Sequence, residues 1–169
     1  KEKGVSEVAV TYTNNDYGKG LADAFIAAHE AHGGSVTLTA PHEDGKADYS
    51  AEIGSLASAG GDLLAIFGYS DQGGKGIIQA SVDTGAFDTY LLGDGMYADA
   101  LLVDLGADLE GSFGTVPWAE GEGTELFNAL ATANDVNPDS SYTRESYDAA
   151  ALLALAMAAG GAATSEAVA

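Results

Sequence analysis

The chain has 169 residues, 46% of them apolar, and carries 26 acidic residues against six basic ones for a formal charge of −20. Such a length and apolar share suffice for one buried core and exclude a disordered chain, while the missing basic patches argue against nucleic acid or an anionic membrane surface as a direct partner. No cysteine is present, so no disulfide framework exists and the redox compartment is not legible.

Taken in chain order, residues 5–12 alternate and branch as a strand, and the segment VAVTYTNNDYGKG at 8–20 runs that strand into a polar, glycine-bearing turn. A helix is predicted over 17–32, with Leu21, Phe25, Ala28 and His32 near one face and a stop at Gly33-Gly34. In an open α/β sheet, ligands sit beyond the carboxyl ends of the strands, so Asn14, Asn15, Asp16 and Tyr17 would furnish such a crevice. A second strand follows at 35–39, a helix at 49–59 ending at Gly60-Gly61, and a third strand at 63–67. The next helix spans 71–84, with Ser70 as its expected cap; the fourth strand is 89–92, then a helix at 96–105 and a fifth strand at 112–116. Strand and helix alternate with short connections. That pattern predicts a three-layer, doubly wound parallel sheet of the flavodoxin-like kind, covered on both faces by right-handed crossovers.

After Val116 the pattern changes. Pro117-Trp118 leads into the acidic AEGEG, and then come two helices with no strand between them. One is predicted over 124–134 with Thr124 as its cap; the other over 143–159, where Thr143, Tyr147, Leu152 and Leu153 begin a buried stripe. Pro138 separates them, and the change divides residues 1–116 from 117–169. The longest apolar stretch, 149–163, falls short of the roughly 20 residues a helix needs to cross a bilayer, so no direct membrane insertion is expected.

Enzyme-like patterns fail on their details. In GYSDQGGKG the lysine, Lys75, precedes Gly76 where a phosphate loop needs a magnesium-binding Ser or Thr, and it falls within the predicted helix. No GxGxxG follows the first strand. His29 and His32 are three apart on one helix without a third ligand, which reads as a solvated helix face, and Ser70 lacks the GxSxG elbow. No cofactor, metal or enzymatic activity is expected.

The pieces NNDYGKG with LADAF after it, FGYS at 67–70, LLGDG at 91–95 and YDAAALLA at 147–154 together resemble the type I periplasmic solute-binding proteins of the branched-chain amino acid (Leu/Ile/Val) ABC transporters. The similarity covers almost the whole chain and lies in the spacing of several pieces. It implies that residues 1–116 form the second of two lobes and that 117–169 are the crossover and helices belonging to the first. A whole member is considerably longer than this chain, so the chain reads as one part of such a protein, any secretion signal having been removed or belonging to a longer precursor. The implied function is extracytoplasmic (periplasmic) capture of an amino acid or similar small amphoteric solute, delivered to a membrane permease. At matching positions the family places ligand contacts, which implies ligand-binding roles for Tyr17, Tyr69 and Asp94, with Asp94 facing the ligand's α-ammonium where a glutamate is common. From the residues alone, Tyr17 also fits a helix-start core position and Asp94 a turn aspartate. A ligand-sensing regulatory domain of the same fold remains an alternative, as does a stand-alone flavodoxin-like enzyme or signalling domain. A receiver domain would want paired acidic residues where this chain has Asn14-Asn15-Asp16, and an aspartate where it has Phe67-Gly68.

Overall fold

The first apolar run becomes β1 (Glu7–Thr13), and Val8, Ala9, Val10, Thr11 and Thr13 are all buried, so the strand is covered on both faces. β3 (Leu63–Phe67) is buried throughout, as a central parallel strand must be. The computed structural model describes residues 4–118 and 120–168 and divides the chain into two compact units, 1–116 and 117–169. In the first unit β1 pairs in parallel with β2 (Ser35–His42) and β3, β3 with β4 (Tyr90–Leu92), and β4 with β5 (Phe113–Gly114). The order is β2-β1-β3-β4-β5. This is the flavodoxin-like doubly wound order, whose switch point lies between β1 and β3.

Side-chain alternation on the central strands builds two cores. Ala9, Leu64 and Ile66 point to one side, where Ile53 and Leu56 of α2 (Ser50–Ala59) and Ile77 and Ile78 of α3 (Lys75–Thr84) close over them. Val8, Val10, Leu63, Ala65 and Phe67 point to the other, beneath Ala22 of α1 (Asp16–Ala31). Each fully buried Leu or Ile contributes about 1.5 to 3 kcal/mol of transfer free energy. Helix α1 reaches the strand ends because residue 18 is glycine: a Cβ there would stand 2.4 Å from the Thr13 carbonyl oxygen and 2.9 Å from that of Phe67.

Several boundaries depart from the sequence reading. The buried face of α1 runs through Gly18 and Ala22, and Ala28 and His32 are exposed. β2 continues past residue 39 to His42, because that side chain is drawn into the core, while β5 shrinks to two residues. The helix expected over 71–84 begins only at Lys75. Before it, Ser70–Gly74 form an irregular turn in which Gln72 (φ −114°, ψ 56°) and Gly73 (φ 91°, ψ −24°) leave helical geometry, and Ser70 makes no capping bond. Lys75 therefore opens its helix. The stretch expected as 96–105 is a 3₁₀ turn at Asp94–Met96, then α4 (Asp99–Leu105), then a second 3₁₀ turn at Gly106–Leu109.

In the second unit lie α5 (Thr124–Ala133), α6 (Thr143–Gly160) and a further short helix, α7 (Ser165–Val168). Thr124 is the first helical residue rather than the cap, and its hydroxyl accepts a bond from the Gly121 amide. The Arg144 guanidinium lies 3.9 Å from the centre of the Trp118 ring and donates to Asn128 and Asp139, while Phe127 and Tyr147 pack at 5.2 Å. The expected buried stripe on α6 is not buried: Tyr147, Leu152, Leu153 and Leu155 are exposed, Leu152 and Leu155 at 69%. Among the described residues this unit contains no strand, so that apolar face has no sheet of its own unit to lie on. Also among them, no helix is long and apolar enough to cross a membrane.

Candidate functional site

Beyond the carboxyl ends of β1, β3 and β4 stand Tyr17, in the first turn of α1, Tyr69 and Asp94 respectively. Asn15 caps α1, its side-chain oxygen accepting from the Gly18 amide at 2.8 Å, and so fixes the first turn in which Tyr17 stands. The rings of Tyr17 and Tyr69 stack with centroids 4.7 Å apart and planes 25° from parallel. Tyr17 Oη donates to Asp94 Oδ1 at 2.6 Å and accepts from the Gly95 amide at 3.2 Å. Stacking of this kind contributes about 0.5 to 1.5 kcal/mol, and a hydrogen bond to a carboxylate about 1.5 to 3 kcal/mol. All three side chains are half-buried, which leaves each reachable from outside. The Asp94 loop lies tight against its neighbour because residue 95 is glycine: a Cβ would come within 2.4 Å of the Gly68 carbonyl oxygen and 2.9 Å of Tyr69 Cδ1. Structure thus gathers the three residues singled out in the sequence into one bonded cluster. Of the other expected crevice residues, Asn15 is occupied by its cap, and Asn14 donates to Glu43 Oε1 at 2.6 Å on the exposed surface.

Beneath the cluster lies a polar network that sequence reasoning missed. His42, fully buried at the end of β2, stands with Nδ1 2.8 Å from Thr11 Oγ1 and Nε2 3.1 Å from Thr13 Oγ1. Thr13 Oγ1 in turn donates to the Gln72 carbonyl at 3.3 Å. One proton arrangement satisfies all three contacts: Thr11 donates to Nδ1, Nε2–H donates to Thr13, and Thr13 donates to Gln72. This makes His42 a neutral Nε2–H imidazole. Burial pushes its pKa down to about 4, against the pull of Glu52, Glu43 and Asp44. Tyr49 meets the ring edge-on, with its hydroxyl donating to the Glu43 carbonyl. The network ties the ends of β1 and β2 to the irregular turn that follows Tyr69. Its signal in the sequence is the threonine pair two residues apart, Thr11 and Thr13, on one face of a central strand. The expectation of a solvated His29 needs correcting: it stacks on Phe25, and its Nε2 is 3.1 Å from the Ser6 carbonyl oxygen.

A parallel, doubly wound sheet with an aromatic pair and a carboxylate gathered beyond its strand ends defines the class as an open α/β unit whose candidate site lies at the strand ends. The sequence profile of the periplasmic binding proteins matches residues 1–169, and the chain belongs to that family. It is 31% identical over 159 residues to Leu/Ile/Val-binding protein homolog 1 of Brucella melitensis, a match covering 92% of this chain and 42% of that protein. Over 72 residues it is 42% identical to Leu/Ile/Val-binding protein homolog 3 of the same organism, covering 40% of this chain and 18% of the relative. The chain therefore spans less than half the length of these curated relatives. Among solved structures it is similar to a leucine binding protein of Thermotoga maritima, with a TM-score of 0.82 at 25% identity, covering 99% of this chain and 49% of that one. A type 1 periplasmic binding protein of Bordetella pertussis shares the fold at a TM-score of 0.86 and 19% identity, over 98% of this chain and 49% of the other.

Proposed function

We propose that this chain forms part of the extracytoplasmic solute-binding component of an ABC importer and supplies one wall of a pocket for an amino acid or similar small amphoteric solute. The observation that carries the reading is the convergence of Tyr17, Tyr69 and Asp94 at the carboxyl edge of the sheet. The tyrosine faces offer an apolar packing surface, and the Asp94 carboxylate a counter-charge for an α-ammonium. Residues 1–116 act as the second lobe, and 117–169 as the crossover and helices of the first. Groups that hold the ligand carboxylate come from the remainder of that lobe, whose sheet also covers the apolar face of α6. Hinge closure buries the solute, and the closed form is presented to a membrane permease; the protein captures and performs no chemistry. The names of the Brucella and Thermotoga relatives support this choice of ligand class.

Titration calorimetry with L-leucine and other amino acids tests the proposal, on a two-lobed protein carrying this sequence and on the 169 residues alone. Binding is expected in the first and weak or undetectable in the second, because half the pocket and hinge closure are missing. Equally tight binding by the 169 residues overturns the two-lobe assignment, and no amino acid binding by the larger protein overturns the ligand class.

A further inference from the structure

The chain contains two Asp-Gly sequences, Asp44-Gly45 and Asp94-Gly95. This is the pairing in which aspartate cyclises most readily, since glycine has no side chain to hinder attack by its nitrogen. In that reaction the glycine nitrogen loses its proton and bonds to the aspartate Cγ, a carboxyl oxygen leaves as water, and a succinimide ring forms. Water then opens the ring at either carbonyl, returning aspartate or giving isoaspartate, in which the main chain runs through the former side chain.

The two sequences stand in opposite settings. Asp44 and Gly45 form an exposed turn, Gly45 has φ 70°, and nothing lies within 4 Å of where its Cβ would be. Asp94 and Gly95 open the 3₁₀ turn beneath Tyr17. There a single phenol engages both reacting groups, taking the Gly95 N–H at 3.2 Å and donating to Asp94 Oδ1 at 2.6 Å. The donated bond favours the carboxylate, whereas loss of its oxygen as water requires the protonated acid. The accepted bond keeps the proton on the nitrogen that must lose it. Hydrogen bonds from the Met96 amide to the Gly93 carbonyl and from the Tyr97 amide to the Asp94 carbonyl hold the peptide against the rotation that ring closure needs.

We propose that the Tyr17 hydroxyl guards Asp94-Gly95 against isoaspartate formation, so that spontaneous isomerisation of the folded chain falls at Asp44-Gly45. The inference concerns main-chain chemistry and holds whether or not Asp94 meets a ligand. Where it does, isomerisation would displace the carboxylate that the proposed pocket wall offers.

The test is to age the 169-residue chain at neutral pH and physiological temperature, folded and in denaturant, and to quantify isoaspartate in the two proteolytic peptides by mass spectrometry. In denaturant the two sites are expected to age alike; in the folded chain Asp94-Gly95 should lag by about tenfold or more, the effect of roughly 1.4 kcal/mol on a barrier. Tyr17→Phe, which keeps the stacked ring and removes the hydroxyl, should erase most of that lag and leave Asp44-Gly45 unchanged. Tyr69→Phe keeps the guarding hydroxyl and should age as the parent does. Equal ageing of both sites in the folded parent, or a folded Tyr17→Phe chain with the lag intact, overturns the proposal. Should Tyr17→Phe fail to fold, amide exchange in the parent decides: a Gly95 amide exchanging as fast as that of Gly45 refutes the guard.

Discussion

Replacing His42 by glutamine isolates one titration from the many in this acidic chain. The imidazole takes up a proton near 6.5 when unfolded but only near about 4 in the folded chain, where burial disfavours the cation. Between those values the unfolded state binds more protons, so folding stability rises with pH: the contribution is complete above about pH 6.5 and is lost as pH falls toward 4. The interval corresponds to about 3 kcal/mol, a large share of an ordinary domain's stability. Glutamine matches the neutral pairing, its amide donating toward Thr13 and accepting from Thr11, and does not titrate. Two opposing trends are common to both chains. Acid relieves repulsion arising from the charge of −20, and it protonates carboxylates such as Asp62 that accept native bonds and have lowered pKa values. Urea unfolding at about pH 7.5 and about pH 4.5 should therefore show the parent losing roughly 2 to 3 kcal/mol more than His42→Gln over the same interval. Parallel losses in the two chains would refute the neutral buried imidazole and the proton arrangement built on it.

On the proposed function, Asp94→Asn should weaken amino acid binding by a two-lobed protein carrying this sequence by about 2 to 5 kcal/mol, the ammonium losing its counter-charge, and Tyr17→Phe by only about 1.5 kcal/mol; calorimetry on both, with melting curves, separates a ligand role from a turn role. Gly18→Ala should cost about 1 to 3 kcal/mol of stability, since its methyl must displace the Thr13 and Phe67 carbonyls, and a chain melting as the parent does would contradict the close approach. Sodium chloride up to roughly 1 M should raise the melting temperature by screening the 26 carboxylates against one another, and a flat or falling melting point would count against that.

The parallel sheet was legible because its strands are short apolar runs broken by glycine turns, and their alternation with helices admits few topologies. What escaped were the places where tertiary contacts override local pattern. The helix expected from residue 71 is delayed to Lys75 because the preceding turn must curve past Tyr49 and offer the Gln72 carbonyl to Thr13. β2 is extended to His42 by a buried pairing with two threonines that no periodicity reveals. The stripe on α6 was expected to be buried and is not, because periodicity states which residues share a face and not whether a surface lies against it. Tyr17, Tyr69 and Asp94 could be singled out from strand-end position and family resemblance, yet nothing in one sequence shows that a tyrosine hydroxyl bridges Asp94 to the next amide.

That bridge changes what the cluster means energetically. A turn aspartate bonded only to its own main chain could swing among rotamers, and ordering it on binding would cost about 0.5 to 1.5 kcal/mol. Here Asp94 is held by Tyr17, Tyr17 is held by its stack on Tyr69 and by the cap of α1, and the turn after Tyr69 is anchored through Gln72, Thr13 and His42. The ordering is done by folding. On the proposed function, a carboxylate ordered beside the stacked tyrosines would discriminate by position as well as by charge: an ammonium that reaches it is favoured, and a carboxylate in its place is repelled. Loosening the anchor without touching the cluster, as Thr13→Val does by removing the hydroxyl between His42 and Gln72, should therefore weaken binding while sparing the Tyr17–Asp94 bond itself. If Thr13→Val binds amino acids as tightly as the parent, the cluster owes its rigidity to the stacked rings alone, and the buried network serves the fold and not the site.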